Sequence, residues 1–282
     1  MSDPLDLLRR AATIVRVPSA PERVPDVLPD GSGLRCPVTG CIYPYRDGVL
    51  DVLREDERER SLVQGAFETT LGAWIYDRGR VGLMRLAGLP GFATEVAATQ
   101  ARLRLRPGDV VLDLACGHGN FTVAWANLVG PDGLVLAFDL SRCMLARAAA
   151  RVARAGLRQV LLVRADAQAL PLASFSVRSV TCSGGFHAFA DLVGALDEIG
   201  RVSQPGAVLA ASLFAEDPAR PRPRLRSWLR ERTGVDLVPL LWLGRVLEEL
   251  GYRDYSWTTP RAAYSWVSAR RIDVVSASRV AG

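Results

Sequence analysis

The stretch Val110–Thr122 reads Val-Val-Leu-Asp-Leu-Ala-Cys-Gly-His-Gly-Asn-Phe-Thr. A short apolar run, two glycines one residue apart and a helix-like segment predict a buried strand, a tight turn and the start of a helix. Glycine lets the backbone adopt positive φ and lets a ligand come close. The first turn of a helix offers free N–H groups and a partial positive charge. We therefore expect a ligand with carboxylate, phosphate or ribose oxygens at this junction.

From residue 109 onward, strand-like and helix-like segments alternate, which is typical of a doubly wound, mostly parallel α/β sheet. Two final strands are separated only by a turn around Pro260, so they must be antiparallel. The predicted fold is a Rossmann-like seven-stranded sheet closed by that hairpin. Its strands are expected at 110–115, 134–139, 159–164, 177–183, 207–214, 252–259 and 262–271, and its helices near 119–129, 141–155, 188–202 and 240–250.

Acidic residues in and after the predicted strands restrict the kinds of ligand that this junction can bind. Asp113 lies inside the first strand, where a dinucleotide fold normally has an apolar residue, and Thr122 replaces the third glycine of the pyrophosphate fingerprint. Asp139 ends the second strand and can accept hydrogen bonds from both hydroxyls of a ribose. Asp166 follows the third strand and can accept from an exocyclic amine. Together they predict a pocket for an adenosine with an amino-acid tail.

Residues 109–271 resemble the class I S-adenosylmethionine-dependent methyltransferases. Val111–Gly119 is similar to the first motif of that family, Leu170–Val177 to its approach to the fourth strand, and Glu198–Ala207 to its entry to the fifth. The resemblance implies S-adenosylmethionine as cofactor. It also implies cofactor binding by Asp113, Ala115, Cys116, Gly117, Gly119, Asp139, Leu140, Met144, Asp166, Ala167 and Ser183.

Candidates for the catalytic base are few, because the chain has two histidines and no lysine. His187 follows the fourth strand at the carboxyl edge of the sheet, where ligands bind in such folds, and can act as a base near neutral pH. The alternative for His187 is a helix-start or packing role. Tyr76 is a second candidate. His118 is interpreted as structural, and no metal is expected at the site.

The segment Leu34–Leu50 has aromatic alternation and an Asp-Gly pair, which indicate a small β-hairpin. Its Tyr43–Gly48 part resembles the last strand of zinc-ribbon modules that precede some bacterial methyltransferase domains. Structural zinc needs four ligands, whereas Cys36 and Cys41 are the only cysteines among the first hundred residues, which contain no histidine. A degenerate ribbon that keeps its fold without metal is favoured over a zinc site.

Three regions are expected along the chain. Residues 1–55 form an N-terminal extension with the degenerate hairpin, 56–105 a helical linker or lid, and 106–282 the cofactor-binding domain with a lid insertion around 215–250. Within that insertion, the Pro/Arg tract Pro218–Trp228 is interpreted as a solvated loop, with part of a substrate lid as the alternative. The aromatic residues expected nearest the acceptor are Trp74, Trp228 and Trp242.

Composition limits the partners. The net charge of +5 comes from scattered arginines, so nucleic-acid binding is a minor alternative. No apolar run reaches the roughly 18–20 residues that a bilayer span requires. Together with the resemblance to the methyltransferase family, these limits lead us to expect a cytoplasmic methyltransferase that acts on a small organic molecule, such as a secondary metabolite or a quinone-like acceptor, and that can form a homodimer. The alternatives are methylation of ribosomal or transfer RNA, and a cofactor-binding cyclase or regulatory scaffold.

Overall fold

The computed structural model describes residues 4–53, 90–233, 236–261 and 263–272. Its α-helices are α1 (Pro4–Ala12), α2 (Phe92–Leu103), α3 (Asn120–Val129), α4 (Arg142–Arg154), α5 (Leu192–Val202), α6 (Pro223–Thr233) and α7 (Leu240–Glu249). Its strands are β1 (Asp26–Val27), β2 (Gly33–Arg35), β3 (Ile42–Arg46), β4 (Val49–Asp51), β5 (Val110–Leu114), β6 (Leu134–Asp139), β7 (Val160–Arg164), β8 (Val177–Ser183), β9 (Ser203–Glu216), β10 (Val238–Pro239), β11 (Tyr252–Arg261) and β12 (Tyr264–Arg271).

The centre of the sheet is parallel, as predicted. The strand order β7-β6-β5-β8-β9 places the strand of the opening stretch in the middle, with β6 on one side and β8 on the other. β12 then pairs antiparallel with both β9 and β11. Since parallel strands all end at one edge, the polar residues that follow β5, β6, β7 and β8 converge there.

The sheet extends beyond the expected seven strands, because the N-terminal extension is continuous with it. β4 pairs in parallel with β7, and β3, β2 and β1 follow outward as antiparallel neighbours. The turn between β3 and β4 is Asp47-Gly48, both with positive φ. The prediction of seven strands was wrong for the whole sheet, since the pairing of β4 with distant β7 has no local signal. The short β10 pairs with the end of β9.

Apolar side chains cover both faces of the sheet. Val111 of β5 faces the α3 and α4 side together with Trp125, whereas Leu112 and Leu114 face the other side. Each of these residues is fully buried. The alternation along β5 is what a strand between two helical layers requires.

The interpretation of the Pro/Arg tract as a loop is corrected from Pro223 onward, where helix α6 begins. Arg226 of this helix lies 2.9 Å from a carboxylate oxygen of Glu216 and 2.9 Å from one of Asp236. Each partner is ten residues from Arg226, so these ion pairs join α6 to the segments just before and just after it. Most of the predicted helical linker, including Trp74 and Tyr76, lies outside the described residues. Among the residues that are described, no helix has the length and apolar character needed to cross a bilayer.

Candidate active site

The turn between β5 and α3 is shaped by backbone conformations that favour glycine. Ala115, Gly117 and Gly119 have φ values of +52°, +55° and +80°. A Cβ on Gly119 would lie 3.0 Å from the Cβ of Ala148, so this glycine lets α3 and α4 pack closely. A Cβ on Gly117 would meet no atom within 4 Å. Gly117 therefore provides the positive φ and an open surface at the turn.

Asp139 connects this turn to the end of β6. The Gly117 N–H donates to its Oδ2 at 2.8 Å, and the Ser141 N–H donates to its Oδ1 at 2.9 Å. Each carboxylate oxygen has a second lone pair, so both can accept a further hydrogen bond. Burial raises the pKa of Asp139. The carboxylate is thus held by backbone donors in one orientation at the carboxyl edge of the sheet.

A cavity opens between the ends of β5, β6, β7 and β8. Seven of the predicted cofactor residues line it: Ala115, Gly117, Asp139, Leu140, Met144, Asp166 and Ala167. The sequence did not single out the other lining residues, which are Leu114, Phe138, Ser141, Ala165, Gln168, Gly184, Gly185, Ala188 and Phe189. The glycine pair after β8 could have been found by the signal that identified the first turn, namely glycines directly after a buried strand.

Asp166, which follows β7, also lines this cavity. Its Oδ1 accepts from the Gln168 N–H at 2.9 Å, and the residue is partly exposed. Leu140 and Met144 add apolar side chains to the cavity wall. This set fits S-adenosylmethionine: two carboxylates can accept from hydroxyl and amine groups, apolar side chains can flank a flat base, and Gly117 leaves room for a tail.

The other four predicted cofactor residues, Asp113, Cys116, Gly119 and Ser183, are not among those that line the cavity. Asp113 is 1% exposed, and its Oδ2 accepts from the Thr122 hydroxyl at 2.7 Å. Cys116 is buried, and burial raises the pKa of its thiol well above the usual range. Gly119 is the N-cap of α3, and Ser183 ends β8. Contact between these four residues and the cofactor stays a prediction.

His187 lies in a short 3₁₀ helix, Phe186–Ala188, directly after β8. Its ring packs edge-on against Phe214 of β9, with ring centroids 5.2 Å apart. The cavity-lining residues Gly185 and Ala188 stand on either side of it in sequence. The histidine is therefore held by an aromatic contact and lies next in sequence to the lining residue Ala188, but it is not itself among the lining residues. Trp242, predicted near the acceptor, is 36% exposed on α7 and is not part of the cavity wall.

The cysteines of the N-terminal hairpin do not form a metal site with other residues that the structure describes. The Thr39 N–H donates to Cys36 Sγ at 3.3 Å, and Cys41 is exposed. Within the described ranges, no three His, Cys, Asp or Glu side chains come together as metal ligands.

Asp113 gives the stability of this protein a testable pH dependence. Burial raises the pKa of its carboxyl to about 7, far above the value of about 4 in an unfolded chain. Because the folded protein binds this proton more tightly, the free energy of unfolding falls as the pH rises from about 4 to about 7. The expected slope is up to about 1.4 kcal/mol per pH unit. Asp113→Asn should flatten this part of the profile in urea unfolding experiments, and an unchanged slope would contradict the assignment.

Comparison with known proteins agrees with this geometry. The profile of a family described as "Methyltransferase domain" matches residues 111–206, from β5 to the start of β9. The chain is 37% identical over 171 residues to a demethylmenaquinone methyltransferase of Bacillus cytotoxicus. The aligned region covers 58% of this chain and 67% of that relative. Two relatives of the same name, from Anoxybacillus flavithermus and Geobacillus stearothermophilus, are covered over 46% and 64% of their length.

Solved structures share the fold at low sequence identity. A SAM-dependent methyltransferase from Aquifex aeolicus has a TM-score of 0.52 and 23% identity, covering 63% of this chain and 89% of that chain. A Haemonchus contortus phosphoethanolamine N-methyltransferase in complex with S-adenosylhomocysteine has a TM-score of 0.60 and 14% identity, covering 73% and 60%. The solved structures show a shared fold, whereas the 37% identity to the Bacillus cytotoxicus relative, of which this chain covers 67%, shows that the chain belongs to the S-adenosylmethionine-dependent methyltransferases.

Proposed function

We propose that this chain transfers a methyl group from S-adenosylmethionine to a small, quinone-like organic acceptor. The observation that carries this proposal is the pair of carboxylates, Asp139 and Asp166, which end neighbouring strands and line one cavity beside the open Gly117. The acceptor class is supported by the Bacillus cytotoxicus relative, which is named for a demethylated quinone. Since a fold alone does not determine a substrate, the acceptor must be tested directly.

Two kinds of residue line the cavity: carboxylates that accept hydrogen bonds from the cofactor, and apolar side chains that pack against its base. Asp139 would hold the ribose hydroxyls and Asp166 the amine of the base, with Leu140 and Met144 against its ring. Hydrogen bonds to a charged group contribute about 1.5–3 kcal/mol each. When bound, S-adenosylmethionine supplies an electrophilic methyl group on a sulfonium. Orienting the acceptor for in-line attack can lower the activation free energy by about 7–11 kcal/mol.

In this proposal, His187 is the base that accepts a proton from the acceptor. The hydroxyl of a reduced quinone makes the adjacent ring carbon nucleophilic when it loses its proton. Imidazole titrates near neutral pH and can accept that proton. The contact with Phe214 holds the ring in place. Tyr76, which lies outside the described residues, stays the second predicted candidate for this role.

The proposal is tested with labelled S-adenosylmethionine and a reduced, demethylated naphthoquinone that carries a short isoprenoid chain. We expect label in the quinone. In His187→Gln, kcat should fall by about 10²–10⁴-fold, the usual contribution of a general base. The affinity for S-adenosylhomocysteine, measured by calorimetry, should stay within a factor of about two, since the imidazole does not hold the cofactor.

Label in RNA and not in the quinone would support the RNA alternative and contradict the acceptor class. An unchanged kcat in His187→Gln would remove the base assignment while leaving the acceptor class intact. The division into regions at residues 55 and 105, the cytoplasmic location and the homodimer stay predictions from the sequence.

A further inference from the structure

The N-terminal extension joins the sheet through β4, which pairs with β7, the strand that leads into the cavity-lining residue Ala165. Leu50 is paired with Val163 and Asp51 with Arg164 in the parallel ladder of β4 and β7, and the Val52 N–H donates to the Arg164 carbonyl at 3.1 Å. Leu50 is fully buried in the same apolar cluster as the central strands. The extension lies outside residues 111–206 that match the family profile, so that match assigns it no role.

Arg164 is the buried cation at this junction, with a side chain that is only 3% exposed. Its Nη1 lies 3.3 Å from Oδ2 of Asp51 in the extension, and its Nε donates to the carbonyl of Leu140 at 3.1 Å. Leu140 lines the cofactor cavity and directly follows Asp139. One guanidinium thus joins a carboxylate of the extension to the backbone of the cofactor loop.

The planar guanidinium is suited to this double contact. It presents several N–H donors in a fixed fork, so pairing at Nη1 determines where Nε points. A buried cation that loses its carboxylate partner must become exposed or move to another partner. Because the guanidinium is rigid, we expect either change to weaken the hydrogen bond from Nε to the Leu140 carbonyl, which contacts the loop that follows Asp139.

We propose that Asp51 of the N-terminal extension is a positioning residue of the cofactor site. It acts through Arg164, which fixes the Leu140 carbonyl and with it the loop between Asp139 and α4. The extension is then a part of the cofactor-binding machinery and not only an added module. This inference rests on the proposed function, because it concerns the same cofactor cavity.

The experiment is calorimetry with S-adenosylhomocysteine on the full chain, at a temperature well below the unfolding midpoint of each variant. Asp51→Asn should weaken binding about tenfold. The matched control is Arg142→Gln, since Arg142 contacts the same Asp51 oxygen at 3.0 Å from a side chain that is 61% exposed. Its affinity should stay within a factor of about two, because exposed ion pairs contribute little.

A second variant serves if Asp51→Asn does not fold. Arg164→Lys keeps the positive charge beside Asp51 but cannot reach Asp51 and Leu140 with two separate nitrogens, so we again expect about tenfold weaker binding. Unchanged affinity in either variant, or an equal loss in Arg142→Gln, would overturn the inference alone. If S-adenosylhomocysteine did not bind to the unaltered protein, the cavity would not be a cofactor site and both proposals would be wrong.

Discussion

Asp139→Ala is expected to weaken the binding of S-adenosylhomocysteine by about 10²–10⁴-fold. Two hydrogen bonds from ribose hydroxyls to a charged acceptor contribute about 3–6 kcal/mol, and each 1.4 kcal/mol corresponds to a factor of ten. The substitution also removes the acceptor of the Gly117 and Ser141 N–H groups, so the turn loses its preformed geometry. Calorimetry on the unaltered and substituted proteins measures the difference.

The control for this substitution is Asp109→Ala. The Asp109 carboxylate also accepts a backbone N–H, from Arg106 at 2.7 Å, but it is not part of the cavity wall. Its loss should leave the affinity within about twofold, since no ligand contact is removed. Unchanged binding in Asp139→Ala would show that the cavity is not the cofactor site. Equal losses in both variants would point to a general effect of removing a turn carboxylate.

Glu95→Ala is expected to cause the largest loss of stability among the substitutions considered. Glu95 of α2 is 1% exposed, and its Oε1 accepts from the Ser212 hydroxyl at 2.6 Å and from the Tyr264 hydroxyl. Both donors are themselves buried. A buried polar group that loses its partner costs about 1–3 kcal/mol, so the free energy of unfolding should fall by about 2–6 kcal/mol.

Urea unfolding measures this loss, and Tyr264→Phe provides the comparison. The phenylalanine removes one donor and keeps the edge-on ring contact with Phe214, so we expect a loss of only about 1 kcal/mol. Glu95→Gln should fall between the two, because an amide oxygen can still accept. A loss below about 1 kcal/mol in Glu95→Ala would mean that Ser212 and Tyr264 find other acceptors.

Where the sequence predicted the fold well, the signal was local. The apolar runs of β5, β6 and β8 and the residues that end them are contiguous, and strand ends such as Asp139 were predicted at the residues where they occur. β9 was expected from 207 but begins at Ser203, because pairing of Val177 with Ser203 extends the ladder. Such pairing is decided by the neighbouring strand and leaves no pattern in the segment itself.

The same distinction between local and long-range signals applies to the residues of the candidate site. Asp139 and Asp166 could be predicted to face one ligand, because the first ends β6 and the second lies two residues after β7, its parallel neighbour. The position of Asp113 beneath the turn could not, since it depends on a hydrogen bond from Thr122 of the next helix. The link from Asp51 to Arg164 joins residues 113 apart in sequence, and only the three-dimensional arrangement brings them together.

The pairing of β4 with β7 has a consequence for solubility. In a sheet that stopped at β7, this strand would present a row of unpaired N–H and C=O groups, which is a template for aggregation with other chains. Here the exposed boundary is moved outward to β1, which has only two residues. The extension therefore protects the edge of the sheet. The outermost strand is the two-residue β1 in place of the five-residue β7, so fewer unpaired backbone groups are offered to another chain.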